Sequence, residues 1–216
     1  MAVIRLRDLH FAYDGGRPVL DGANLELEPG EKVGLAAPNG AGKTTLFHLI
    51  VGLLHPTAGE VEVFGRVRRR EEDFLEVRSR VGLLFQDADD QLFCPTVAED
   101  VAFGPMNLGK SREETERIVS QTLRLLGLEG YEDRVTHHLS GGEKRLVSLA
   151  TVLAMAPEVL LLDEPTGGLD EATVERVVGV LARHAPSYIL ISHNRDFLTQ
   201  LTDKVYTLRA GRLDRV

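Results

Sequence analysis

An α/β fold with a mixed, largely parallel core sheet, an N-terminal antiparallel β sub-domain and a helical sub-domain is predicted for these 216 residues. Three observations predict it. Four short apolar runs of buried-strand character, at 32–36, 81–85, 159–162 and 188–191, recur along the chain, and helix-period segments lie between them. The first 27 residues instead alternate apolar with polar positions around a glycine turn, which reads as antiparallel β structure. Residues 95 to 158 read mostly as helix. One domain is expected over 1–216, with 1–86 and 158–216 forming the core and its β sub-domain, and about 87–157 forming the helical sub-domain.

Composition narrows the function. The formal net charge of −8 argues against non-specific nucleic-acid binding, which depends on Lys and Arg neutralising phosphates, so no nucleic-acid partner is expected. The single basic run, Arg66 to Arg70, is followed at once by Glu71, Glu72 and Asp73, and a solvated turn and helix start is predicted there. Cys94 is the only cysteine, which excludes an intramolecular disulfide. No apolar stretch approaches the roughly 20 residues needed to cross a bilayer, so any membrane role is expected through a partner.

Val3 to Leu9 alternates apolar and charged residues, and Val19 to Leu27, after the Asp14-Gly15-Gly16 turn, continues the β pattern. Tyr13 lies between them, a flat ring suited to stacking on a base. The strand predicted at Lys32 to Ala36 runs into Ala37-Pro38-Asn39-Gly40-Ala41-Gly42-Lys43-Thr44, which fits G-x-x-x-x-G-K-S/T except for alanine at the first position. Such a loop turns backbone N–H groups inward around an anion, and the helix after it points its positive end at the same place. Lys43 supplies charge for terminal phosphates, and the Thr44 hydroxyl can ligate magnesium. A hairpin around Glu60 to Phe64 comes next, then the apolar run Val81 to Phe85, ending at Gln86 and the acids Asp87, Asp89 and Asp90. A polar residue at the end of a buried strand lies where α/β folds bind ligands, which makes Gln86 a candidate.

Helices are predicted over Thr96 to Phe103 and over Ser111 to Leu126, the second opening with a Ser-x-x-Glu capping box. Ser140-Gly141-Gly142-Glu143 heads a further apolar helix, giving a second anion-seeking helix start. Val159 to Leu162 is predicted as a fully buried strand closed by Asp163 and Glu164. Two adjacent carboxylates there are costly without a function; one suits magnesium, the other an attacking water. Asp170 is read as the cap of the next helix, where Val174, Val177, Val178 and Leu181 share a face. Tyr188 to Ile191 is the last predicted core strand, followed by Ser192, His193 and Asn194, with His193 at a third strand end.

These residues, in this order, resemble the nucleotide-binding subunit of ATP-binding-cassette (ABC) transporters over nearly the whole chain. The resemblance implies the P-loop NTPase fold of that family and an ATPase using ATP and Mg2+. It makes Tyr13 the adenine-stacking aromatic, Ala37 to Thr44 with Thr45 the Walker A loop, Gln86 the Q-loop glutamine and Ser140 to Glu143 the signature motif. It makes Asp163 the Walker B aspartate, Glu164 the catalytic glutamate, Gly168 to Asp170 the D-loop and His193 the switch histidine. Lys43, Gln86, Glu164 and His193 are then catalytic, while Thr44, Gln86 and Asp163 organise magnesium. The family's head-to-tail dimer implies that each ATP is gripped by the Walker A loop of one subunit and the signature helix of the other, in a homodimer or a heterodimer with a related ATPase. Ala37, Glu143 and Asn194 depart from the commonest residues and remove no needed charge.

A narrower resemblance joins 86–93 and 95–105 to the energy-coupling-factor (ECF) importers, especially their cobalt and nickel ATPases. It implies a T component and a substrate-binding component as membrane partners, and a place on the cytoplasmic face of the cell membrane. An ECF or ABC ATPase for a vitamin such as biotin, and a soluble non-transport ABC ATPase, are the alternatives.

Overall fold

The computed structural model describes residues 1–216. Strands β1 (Ile4–Ala12), β2 (Pro18–Leu27) and β3 (Lys32–Ala36) open the chain and lead to helix α1 (Lys43–Ile50). Then come β4 (Ala58–Val63), β5 (Arg66–Arg68), α2 (Glu71–Arg80) and β6 (Val81–Leu84). The helical stretch holds α3 (Val97–Asn107), α4 (Arg112–Leu125) and α5 (Gly141–Leu153). The chain returns through β7 (Val159–Asp163), α6 (Glu171–His184), β8 (Ser187–Ile191) and α7 (Arg195–Leu201) to the hairpin β9 (Lys204–Arg209) and β10 (Arg212–Arg215).

Two sheets result. The first is antiparallel, in the order β2-β1-β4-β5, and the second has six strands in the order β10-β9-β3-β8-β7-β6. The pairs β9-β3, β3-β8, β8-β7 and β7-β6 are parallel, and only the edge strand β10 is antiparallel. Successive side chains of a strand point to opposite faces, and here both faces are covered. Val159 and Leu161 of β7 enter one apolar cluster with α1 and the antiparallel sheet, while Leu160 and Leu162 enter a second cluster with the helical stretch. In β8, Ile189 and Ile191 face the first cluster, and Tyr188 and Leu190 the second. Double burial explains why these strands read as unbroken apolar runs.

Caps fix the helical stretch. Thr96 with Glu99 and Ser111 with Glu114 each close a capping box, an arrangement that stabilises a helix start by about 1 kcal/mol. One expectation is corrected. The basic run at 66–70 is not wholly a solvated turn: 66–68 form β5, and Arg68 is buried. Its guanidinium donates to the Val63 and Asp73 carbonyls and to Glu76, so a charged side chain is satisfied inside the sub-domain. The terminal β9-β10 hairpin has no counterpart in the pattern read from sequence, because half-buried β9 mixes polar and apolar residues on both faces and β10 is short and mostly exposed.

Candidate nucleotide site

The parallel register brings the candidate residues to one edge. Leu35 of β3 pairs with Ile191 of β8, Asp163 of β7 pairs with the same Ile191, and Leu84 of β6 pairs with Leu162. The segments that leave these strands therefore emerge side by side at the carboxyl ends: the Ala37 loop, Gln86, Glu164 and Ser192.

In the loop, Gly40 and Gly42 hold φ of 74° and 98°, values that favour glycine. At Gly42 a side chain would also strike Val19 Cγ1 at 2.6 Å. Gly42 is the N-cap of α1, no side chain caps it, and no acid lies in the first turn. The leading N–H groups of α1 thus keep their capacity for an anion. The Lys43 ammonium donates to the carbonyls of Ala37 (3.0 Å) and Pro38 (3.1 Å), which holds the buried charge against its own loop. Ala37 has an ordinary backbone and packs into the core, so the methyl group at this irregular position is accommodated. Tyr13 is half exposed, meets Phe11 edge-on and shares a 3.1 Å hydrogen bond with the Thr45 hydroxyl. Tyr13, Asn39, Gly40, Gly42, Lys43, Thr44, Thr45 and Gln86 line one open cavity.

The Thr44 hydroxyl donates to Asp163 Oδ2 at 2.9 Å. Asp163 is 1% exposed, and its Oδ1 is buried without a partner. Burial raises the Asp163 pKa, against the pull of the Thr44 hydrogen bond and the Lys43 charge. An orphaned carboxylate oxygen beside a threonine hydroxyl suits a hard divalent cation that keeps most of its water, as Mg2+ does. No group of three or more His, Cys, Asp or Glu side chains forms a metal cluster anywhere in the fold.

Glu164 has φ of 50°, a left-handed backbone that costs a non-glycine residue on the order of 1–3 kcal/mol. Its N–H donates to Ile191 O at 3.1 Å, and its Oε2 accepts from Ser192 Oγ at 3.3 Å. His193 Nε2 lies 3.6 Å from Glu164 Oε1, an oxygen that is buried with no hydrogen-bond partner. Ser192 is the residue that sequence reasoning passed over; its place between Ile191 and His193 at the strand end was the available signal.

Ser140 is the N-cap of α5, and its hydroxyl accepts from the Glu143 N–H at 3.3 Å. In return Glu143 Oε2 accepts from the Ser140 N–H and hydroxyl, both at 2.8 Å. Glu143 Oε1 accepts from Tyr131 (2.7 Å) and Arg134 (3.2 Å); the Tyr131 hydrogen bond first, then those from Ser140, and last the Arg134 charge hold its pKa down at about 2. Gly142 packs against Leu169 and the Gly168 carbonyl, while Asp170 caps α6 through Thr173. A second, broad cleft is lined by Thr44, Gln86, Gly141, Gly142, Gly167 and Gly168. No hydrogen bond joins the 37–45 loop to 140–143 across it.

A family model described as ABC transporter matches residues 20–167. The chain belongs to the ABC transporter ATP-binding family. The cassette is 46% identical over 215 residues to an energy-coupling factor transporter ATP-binding protein EcfA of Methanothermobacter thermautotrophicus, covering 98% of this chain and 69% of that one. It is 53% identical over 198 residues to a putative ABC transporter ATP-binding protein of Brucella suis, covering 92% and 82%. Among solved structures, cbiO1 of Clostridium perfringens, described as part of the ABC transporter complex cbiONQ, superposes with a TM-score of 0.85 at 32% identity, covering 99% and 87%. A dimeric ATP-binding cassette bound to ADP and Pi shares the fold, with a TM-score of 0.89 at 24% identity over 98% and 97% of the two chains. The cassette is thus an ATPase of the ABC class, and no helix in it is long and apolar enough to cross a membrane.

Proposed function

We propose that this cassette hydrolyses ATP to energise import by an ECF-type transporter, with cobalt or nickel ions as the solute. The observation that carries the ATPase chemistry is the meeting of Lys43, Thr44, Asp163, Glu164 and His193 at the carboxyl edge of one parallel sheet. Lys43 and the free N–H groups of α1 hold the terminal phosphates, and Tyr13 stacks on the adenine. Thr44 and Asp163, with Gln86, would hold Mg2+, which when bound offsets phosphate charge. Glu164, fixed by Ser192, takes the proton of the attacking water, and His193 beside it contacts the γ-phosphate. In a head-to-tail dimer, Ser140 and Gly142 of the second subunit close over the same ATP, while Glu143 holds Ser140 from behind and Asp170 fixes the D-loop.

ECF relatives matched over nearly the whole chain support the transporter class. An open apolar groove lined by Leu53, Leu83, Phe85, Phe93, Phe103 and Met155 supports docking of a membrane subunit on the cytoplasmic face. Phe93 and Phe103 meet edge-on at 4.8 Å while remaining well exposed, which an uncovered surface tolerates poorly. The test is co-expression with the membrane components of an ECF transporter, followed by ATP-dependent uptake of radioactive Co2+ or Ni2+ in vesicles. Uptake of biotin and not of either ion would refute the solute assignment and leave the ATPase intact.

A further inference from the structure

Arg145, which lies on α5 and lines the broad cleft beside Gln86, is spent on the segment that carries Gln86. Its Nη1 donates to the Phe85 carbonyl at 2.9 Å, and its Nη2 donates to the Gln86 carbonyl. Gln91 reinforces the tie: its Oε1 accepts from the Phe85 N–H at 3.1 Å, while its Nε2 donates to Ser148 O (3.1 Å) and Thr151 Oγ1 (2.9 Å) on α5. Lys144 pairs with Asp89. Three side chains thus bind 85–91 to the helix whose first turn is Ser140 to Glu143. In contrast, no side-chain hydrogen bond joins 85–91 to β3, α1 or β7; His48 of α1 meets Phe85 edge-on at 6.0 Å between centroids. Guanidinium forks that hold two carbonyls fix orientation as well as distance, and a half-buried one is costly to leave without them.

We infer that Arg145 is a positioning residue that makes the Gln86 segment part of the signature helix, so that the two ATP sites of a dimer are mechanically coupled through each subunit. Gln86 faces the ATP on its own chain, whereas Ser140 faces the ATP on the second copy. Whatever draws Gln86 toward Thr44 and Asp163 therefore moves Ser140 in the other site, and the chain bends before Phe85, not within 85–91. This inference rests on the proposed shared-site dimer and adds the residue that links its halves.

The test uses the full chain carrying Glu164→Gln, in which ATP is bound and not turned over. Adding Arg145→Ala should leave MgADP affinity of the monomer unchanged and weaken ATP-driven dimerisation about tenfold or more, as read by light scattering. With Glu164 restored, Arg145→Ala should lower the Hill coefficient of ATP hydrolysis towards one, with a larger loss in kcat than in KM. Arg145→Lys should recover part of both, and Lys144→Ala should show a smaller loss in the same direction; these two carry the test if thermal unfolding shows that Arg145→Ala is misfolded. Unchanged dimerisation and cooperativity would overturn the inference, as would an equal loss of MgADP affinity. Absence of any ATP-driven dimer in Glu164→Gln alone would overturn the shared-site reading, and this inference with it.

Discussion

The two helix starts that seek an anion are built to different plans. α1 begins at Gly42 in a left-handed conformation, with no capping side chain and no acid in its first turn. α5 begins at Ser140, its capping box closed by Glu143 and that carboxylate held in turn by Tyr131 and Arg134. A negative side chain in the first turn already answers much of the positive end of α5, whereas α1 leaves its own unanswered. The physical consequence is an order of affinity. On the proposed shared-site dimer, α1 takes phosphate by itself, while α5, stable while empty, is a weak ligand that acts when a second subunit delivers an ATP already bound.

Substitutions can break this contrast, and Glu164→Gln should have the largest effect. It removes the proposed proton acceptor and leaves both helix starts intact; hydrolysis should fall on the order of 10²- to 10³-fold or more, with nucleotide binding retained. Phosphate release and equilibrium binding, measured on the same preparation, decide it. Ser140→Arg fills the signature start and should stop turnover while the monomer still binds MgATP through α1. Loss of that binding would show that the two starts serve one site within a chain and would end the division between strong and weak ligand.

Glu143→Gln sharpens the comparison through pH. Folded Glu143 sits at about 2 against an ordinary 4.5, so its ionised form stabilises the native chain at all pH above the unfolded value. That contribution is lost as pH falls from 4.5 towards 2. The difference in urea midpoint between wild type and Glu143→Gln should be level from pH 7 to about 5 and shrink below it. A difference that grows on acidification would mean that the carboxylate is not held as described. Smallest of all should be Ala37→Gly. With an ordinary backbone at 37 and the carbonyl of that residue serving Lys43, MgATP affinity should barely move, while chain entropy costs about 0.4–1 kcal/mol of stability in a thermal melt.

Much of this was legible before the fold was seen, for a physical reason. A parallel strand buried on both faces must be apolar throughout, so the first polar residue after it marks the edge where loops converge; Asp163 and Gln86 stand at such points, and His193 follows directly on Ser192, which does too. Short-range chemistry was legible too: the boxes at Ser111 and Ser140 and the cap at Asp170 need only residues three apart. What escaped is chemistry between a side chain and backbone carbonyls. Arg145 reaches carbonyls about 60 positions away, and Arg68 reaches the carbonyls of Val63, on the other strand of its own hairpin, and Asp73. Neither target has a residue type to search for. In the same way β5 and the β9-β10 hairpin are too short and too mixed in polarity to announce a period of two.

The lone Cys94 gives this ATPase a practical property. The carboxylate of buried Asp100, which accepts from the N–H groups of Phe93 and Cys94, lies against the thiol. Burial first, and then that negative neighbour, push the thiol up to about 11. At neutral pH almost none of it is thiolate, the form that reacts with maleimides or oxidants. The thiol should therefore react slowly with thiol reagents, which labelling of the native chain at neutral pH checks. A pair of introduced cysteines, one on each jaw, would report the closing of the two subunits against a dark background, with no need to remove the native residue.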